Sequence, residues 1–192
     1  MTFASQITIA RICLVPIYAV LAFYYGHTLQ IGQPIESLRG WALGVFILAA
    51  SSDGIDGWVA RRFNQCSKFG AYIDPIADKA LLLTGVITLS QIDWGAPGWR
   101  LPWWFAAIVV LRDSIILGGI KILYLKHREV KIIPHWTGKA CTVSQMFAIG
   151  WVMLRVVSIS PIYPCALAVF FTLWSSVTYI RQGQQILRGG DP

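Results

Sequence analysis

Apolar residues in this chain come in long uninterrupted blocks rather than in alternation or on a single helical stripe. A helix needs about 20 mostly apolar residues to cross a bilayer. Six blocks meet that length, near residues 7–25, 41–62, 70–92, 102–125, 140–158 and 162–182. The pattern predicts an all-α fold, an integral membrane bundle of six transmembrane helices, in a single domain over residues 1–192. The block from Ile7 lacks a preceding basic stretch, so it reads as a retained first span rather than a cleaved leader.

The polar residues between the blocks set an orientation. The segment after the second block carries Arg61, Arg62 and Lys68, and that after the fourth carries Lys126, Arg128 and Lys131. The alternate loops are poorer, with Arg39, Arg100 and Arg155. Lys and Arg concentrate on the cytoplasmic side, which predicts a cytoplasmic-membrane protein with both termini in the cytoplasm. The third loop, with Gly95, Pro97 and Gly98, reads as a turn. Its neighbours Trp94, Trp99, Trp103 and Trp104 read as an outer aromatic belt.

Composition agrees. Only 13% of residues are charged, where a soluble domain carries roughly a quarter. The net charge of +7 would suggest nucleic acid in a soluble protein. Here the basic residues lie between apolar spans, so anionic lipid explains them and no nucleic-acid partner is expected. Cys13, Cys66, Cys141 and Cys165 are widely spaced and read as structural thiols.

The acidic residues change the picture. Asp53, Asp56, Asp74, Asp78 and Asp113 lie inside predicted spans, where each charge costs roughly 2.5–3.5 kcal/mol at the helix centre. Asp53 and Asp56 are three apart, and Asp74 and Asp78 four apart, so each pair shares a helix face. The two spans are antiparallel neighbours, and Asp56, Asp74 and Asp78 fall about 6–12 Å below the cytoplasmic edge at 1.5 Å per residue. Four converging carboxylates repel one another unless cations compensate. An all-oxygen set suits magnesium, calcium or manganese rather than zinc, and paired metals suit phosphoryl displacement. Two other readings fit the same spacing: a proton or ion pathway in a transporter, and structural pairing of an Asp with Arg61 or Lys79.

The stretch Asp53-Gly-Ile-Asp56-Gly57-Trp-Val-Ala60-Arg61, followed by Gly70, Asp74 and Asp78, resembles the signature of the CDP-alcohol phosphotransferase (CDP-alcohol phosphatidyltransferase) family, DxxDGxxAR then GxxxDxxxD. Eight residues separate Arg61 from Gly70, within the family's spacing. Three other stretches resemble the phosphatidylglycerophosphate synthase group of that family. They are the opening Ile7-Thr8-Ile-Ala-Arg11-Ile-Cys-Leu-Val-Pro16, the segment Asp74-Pro-Ile-Ala-Asp78-Lys79, and Gly138-Lys139 with Thr142 and Gln145. One departure is Ala4-Ser5, where the group usually has Pro-Asn.

The resemblance implies transfer of a phosphatidyl group from CDP-diacylglycerol to glycerol 3-phosphate, with release of CMP. A cardiolipin synthase of the same fold, with phosphatidylglycerol as acceptor, is the alternative within the family. It further implies two Mg2+ or Mn2+ ions, with Asp53 and Asp74 bridging both, Asp56 on one and Asp78 on the other. Asp78 would also be the general base. Gly57 would admit the cytidine nucleotide, Arg61 would pair with its diphosphate, and Ser67 would contact the CDP-lipid. A homodimer is implied in the same way. Glycerol 3-phosphate needs positive charge beside the metals, for which Arg112 and Lys139 are the candidates, with Thr142 as a hydroxyl donor. Against these stand an ordinary interfacial role for Lys139 and pairing of Arg112 with Asp113. His135 reads as solvated, and His27 and His127 carry no functional signal.

Overall fold

The computed structural model describes the backbone of residues 3–63, 68–126, 136–155 and 159–187, and within them the side chains of 10–52, 77, 79–119, 136–155 and 159–185. Among the described residues the chain forms six helices and no strand: α1 (Phe3–Gln30), α2 (Glu36–Phe63), α3 (Lys68–Gln91), α4 (Trp103–Lys126), α5 (Trp136–Leu154) and α6 (Ile162–Leu187). They divide into two compact units, Met1–Arg100 and Leu101–Pro192.

In the first unit α1 packs along both α2 and α3, and α2 meets α3. The α1 face is Tyr18, Ala22 and Tyr25, at offsets of four and three; the α2 face is Ala42, Phe46 and Ala49, with the same offsets. Residues so spaced lie on one side of a helix, and the alanines let the backbones approach. The Tyr18 ring tilts against Phe46 at 5.2 Å. Its hydroxyl shares a 3.0 Å hydrogen bond with Thr88 of α3.

The α1–α2 connection is closed by local chemistry. Gly32 has a φ of 75°, open to glycine because it lacks a Cβ. Its N–H donates to the Leu29 carbonyl and that of Gln33 to the Thr28 carbonyl, each at 3.1 Å, the paired bonds of a Schellman cap. The Thr28 hydroxyl accepts from the Ile35 N–H, and Glu36 in the first turn of α2 pairs with Arg39 at 2.8 Å.

After α3 the structure departs from the aromatic-belt expectation at Trp94, which is fully buried. Gly95 and Gly98, both at positive φ, fold the segment back so that the Trp94 N–H donates to the Trp99 carbonyl at 2.7 Å. The indole then stands edge-on to Tyr25 at 5.3 Å. Trp103, in contrast, is exposed.

In the second unit both α4 and α5 pack on α6. The α6 face runs Cys165, Ala168, Thr172, Ser175 and Gln182, all buried. The span expected over 140–158 is instead α5 over Trp136–Leu154. Its start takes in Gly138 and Lys139, polar-looking residues that read as loop. Its end comes at Arg155, whose φ of 50° is left-handed and stops the helix.

Large apolar side chains such as Val20, Trp41, Leu48, Leu111, Val143 and Phe170 stay exposed, while Arg11, Thr88, Arg112, Gln145 and Ser175 are buried. Contiguous exposed apolar surface marks contact with lipid or protein, and a polar interior keeps hydrogen-bonding groups away from hydrocarbon. Among the described residues, Ala10–Gln30 and Ile162–Gln185 are long and apolar enough to cross a membrane.

Candidate active site

Asp53, Asp56, Gly57 and Arg61 lie on α2, and Gly70, Asp74 and Asp78 on α3, the two helices that meet in the first unit. Their side chains fall outside the described residues, and Ser67 lies outside them altogether. Among the described residues no three His, Cys, Asp or Glu gather into a metal-holding group. Three turns of uninterrupted α2, from Asp53 to Phe63, carry the first acidic pair and Arg61 together, so the offsets of three and eight keep them on one helix face.

The described structure begins directly beside this segment. Ser52, next to Asp53, accepts a hydrogen bond from Arg11 Nε at 3.4 Å and donates to the Ala49 carbonyl at 2.7 Å. Arg11 is 1% exposed, so α1 brings a buried positive charge to the foot of the acid-bearing stretch. Sequence reasoning uses Arg11 only as one letter of the opening pattern; the signal for more is a cation inside an apolar run.

In the second unit the three acceptor candidates separate into two environments. Lys139 and Thr142 are three apart on α5 and both exposed. The Thr142 hydroxyl donates to the Gly138 carbonyl at 3.1 Å. Arg112 is buried on α4. Its Nη1 donates to Asp113 Oδ1 at 2.6 Å and its Nη2 to Ser175 Oγ at 2.9 Å, while the guanidinium carbon lies 5.9 Å from the centre of the Tyr179 ring. The pairing with Asp113 is therefore present, joined by two α6 residues that sequence reasoning missed. Ser175 and Tyr179 lie four apart in a stretch that also holds Thr172, Ser176 and Thr178, where so many hydroxyls give no pattern that singles out two.

Gln145 is 2% exposed and reaches across to α6, donating to Thr172 Oγ1 at 3.0 Å and to Cys141 Sγ at 3.4 Å. A buried amide bonded between helices secures their packing, which makes this residue a tie rather than a ligand. Among the histidines, His27 is exposed beside Tyr24, and His127 and His135 lie outside the described residues.

Comparison with known proteins joins the two halves of this picture. The chain is 31% identical over 196 residues to the CDP-diacylglycerol–glycerol-3-phosphate 3-phosphatidyltransferase of Bacillus subtilis, covering 96% of each chain. It is 30% identical over 182 residues to the Escherichia coli K12 protein of the same name, covering 92% of this chain and 91% of that one. A probable phosphatidylglycerophosphate synthase of Mycobacterium tuberculosis is 30% identical over 190 residues, covering 97% of this chain and 83% of that one. The sequence profile for CDP-alcohol phosphatidyltransferase matches residues 1–178, from the Arg11 helix through the acidic pairs on α2 and α3 to Ser175 on α6, and the chain belongs to that family.

Proposed function

We propose that this protein is a phosphatidylglycerophosphate synthase, transferring the phosphatidyl group of CDP-diacylglycerol to glycerol 3-phosphate and releasing CMP. One observation carries the reading: the complete acidic signature on α2 and α3 lies in a chain that aligns over nine-tenths or more of its length with relatives of that name. Residues 1–192 act as a single catalytic domain.

The donor set supports a pair of Mg2+ or Mn2+ ions. Asp53, Asp56, Asp74 and Asp78 offer only carboxylate oxygens, the ligands of hard divalent cations, on two helices in contact. When bound, such ions neutralise the diphosphate and stabilise the departing phosphate. Asp53 and Asp74 would hold both ions, Asp56 one of them and Asp78 the other. Gly57 leaves room for the cytidine nucleotide, and Arg61 offers a planar fork to its diphosphate. Ser67 contacts the CDP-lipid.

The reaction then needs one proton moved and one bond exchanged. Asp78 takes the proton from the acceptor hydroxyl. The hydroxyl oxygen bonds to the phosphorus that carries the diacylglycerol. The bond from that phosphorus to the CMP oxygen breaks, and CMP leaves with the electron pair. Arg112 and Lys139 hold the acceptor's phosphate, with Thr142 beside Lys139 on the same α5 face. The buried cations and exposed apolar helices support a bilayer setting. The Lys and Arg distribution supports a cytoplasmic membrane with both termini and the active site on its cytoplasmic side. The enzyme works as a homodimer.

The test is an acceptor panel with purified protein and radiolabelled CDP-diacylglycerol. Glycerol 3-phosphate is the expected acceptor, and efficient use of phosphatidylglycerol with none of glycerol 3-phosphate would replace the reading with a cardiolipin synthase. A hydrogen bond to a charged group contributes about 1.5–3 kcal/mol, and each decade of affinity is about 1.4 kcal/mol. Lys139→Ala therefore raises the KM for glycerol 3-phosphate about 10- to 100-fold while the KM for CDP-diacylglycerol stays near its wild-type value. Arg61→Ala shows the opposite pattern.

A further inference from the structure

Two of the three nitrogens of Arg112 are committed, Nη1 to Asp113 and Nη2 to Ser175. The third, Nε, is buried and has no hydrogen-bond partner. Buried donors are nearly always satisfied, and an exception calls for an explanation. The guanidinium also stands over the ring of Tyr179, whose centre lies 5.9 Å from Cζ.

The same ring is held from a second direction. A Cβ added at Gly138 would stand 2.8 Å from the Tyr179 hydroxyl oxygen, closer than real Cβ contacts come, whereas the next ring atoms would be at 3.4 and 3.5 Å. A side chain at 138 would have to push the phenol aside. Tyr179 thus reaches from Arg112 on α4 to Gly138 in the first turn of α5, the residue before Lys139.

We propose that Tyr179 is a positioning residue for the acceptor's anionic group: it holds the Arg112 guanidinium so that Nε–H remains as the donor, and keeps that donor in register with Lys139. The inference rests on the acceptor roles assigned to Arg112 and Lys139. The ring does this work, and the hydroxyl is the part that meets Gly138.

The experiment is steady-state kinetics on purified protein in mixed micelles, varying glycerol 3-phosphate and CDP-diacylglycerol separately, with detergent melting run on every variant. Tyr179→Leu is expected to raise the glycerol 3-phosphate KM about tenfold, the order set by losing a cation–π contact and the placement that it gives. The CDP-diacylglycerol KM should move less than about twofold in the same variant. Tyr179→Phe keeps the ring and should hold the acceptor KM to a rise of less than about threefold. Gly138→Ala pushes on the hydroxyl and should raise the acceptor KM about tenfold. Adding Tyr179→Phe should bring it back below about threefold, a strong non-additivity expected only of groups in contact.

Equal changes in both KM values would overturn the proposal. So would a fall confined to kcat or melting temperature, or additive behaviour of Gly138→Ala and Tyr179→Phe; any of these would make Tyr179 a packing residue. Should Tyr179→Leu fail to fold, the Gly138→Ala pair decides alone. A wild-type protein that does not use glycerol 3-phosphate overturns the synthase reading instead, and the cycle is then read on the KM of the anionic acceptor that it does use.

Discussion

Asp53→Asn and Asp74→Asn are each expected to lower turnover by more than about 100-fold. The scale comes from groups that only support metal ligands, whose loss already costs about 10- to 100-fold in affinity or activity; a shared ligand lost from both ions costs more. An amide keeps the size of the carboxylate but not its charge, so helix packing survives and the variants should melt in detergent near the wild-type temperature. Chelation of the wild type should abolish activity, with recovery on adding Mg2+ or Mn2+. Binding of Mn2+, followed by its paramagnetic signal in the absence of substrate, should weaken in both variants and separate loss of metal from loss of chemistry. Full activity in chelated buffer would end the two-metal reading.

Asp78→Asn is the second large effect. Asp78 sits one turn beyond Asp74 on α3, and the proposed function makes it the general base as well as a metal ligand. General-base catalysis contributes about 10²- to 10⁴-fold, and kcat should fall by that order. Binding of CDP-diacylglycerol, measured by equilibrium partition of the radiolabelled lipid, should persist, because Asp53, Asp56, Asp74 and Arg61 remain. Near-normal turnover at neutral pH would assign the proton to another group.

The helices and the acidic pairs were legible in the sequence because both rest on strong physical signals. A run of about 20 apolar residues has few alternatives to a helix in lipid, and a carboxylate inside such a run stands out by its cost. All six helices occur in the expected order. What was not legible depends on tertiary partners. Gly138 and Lys139 stand at the edge of a basic loop in the sequence, and only the fold brings the Tyr179 hydroxyl of α6 against Gly138. Trp94 has the amphipathic ring of an interface residue, and only the turn at Gly95 and Gly98 converts it into a core side chain against Tyr25. Arg11 reads as an isolated cation until Ser52 of α2 is placed beside it. Ser175 and Tyr179 are ordinary α6 residues in one dimension and partners of Arg112 in three.

The place of α6 as the helix on which both α4 and α5 pack has a consequence for biogenesis. It is the last of the six helices to leave the ribosome, so the packing of α4 and α5 on it must wait until α6 has been made. Arg112 and Asp113 are adjacent in the chain and bonded to one another, which lets them enter the bilayer as a self-neutralised pair before Ser175 and Tyr179 arrive. The tie from Gln145 to Thr172 likewise forms only at the end. A chain cut short before Ile162 would leave Arg112 without Ser175 and Gln145 without Thr172, so loss of α6 should lower the amount of folded protein in the membrane rather than leave a partly active one.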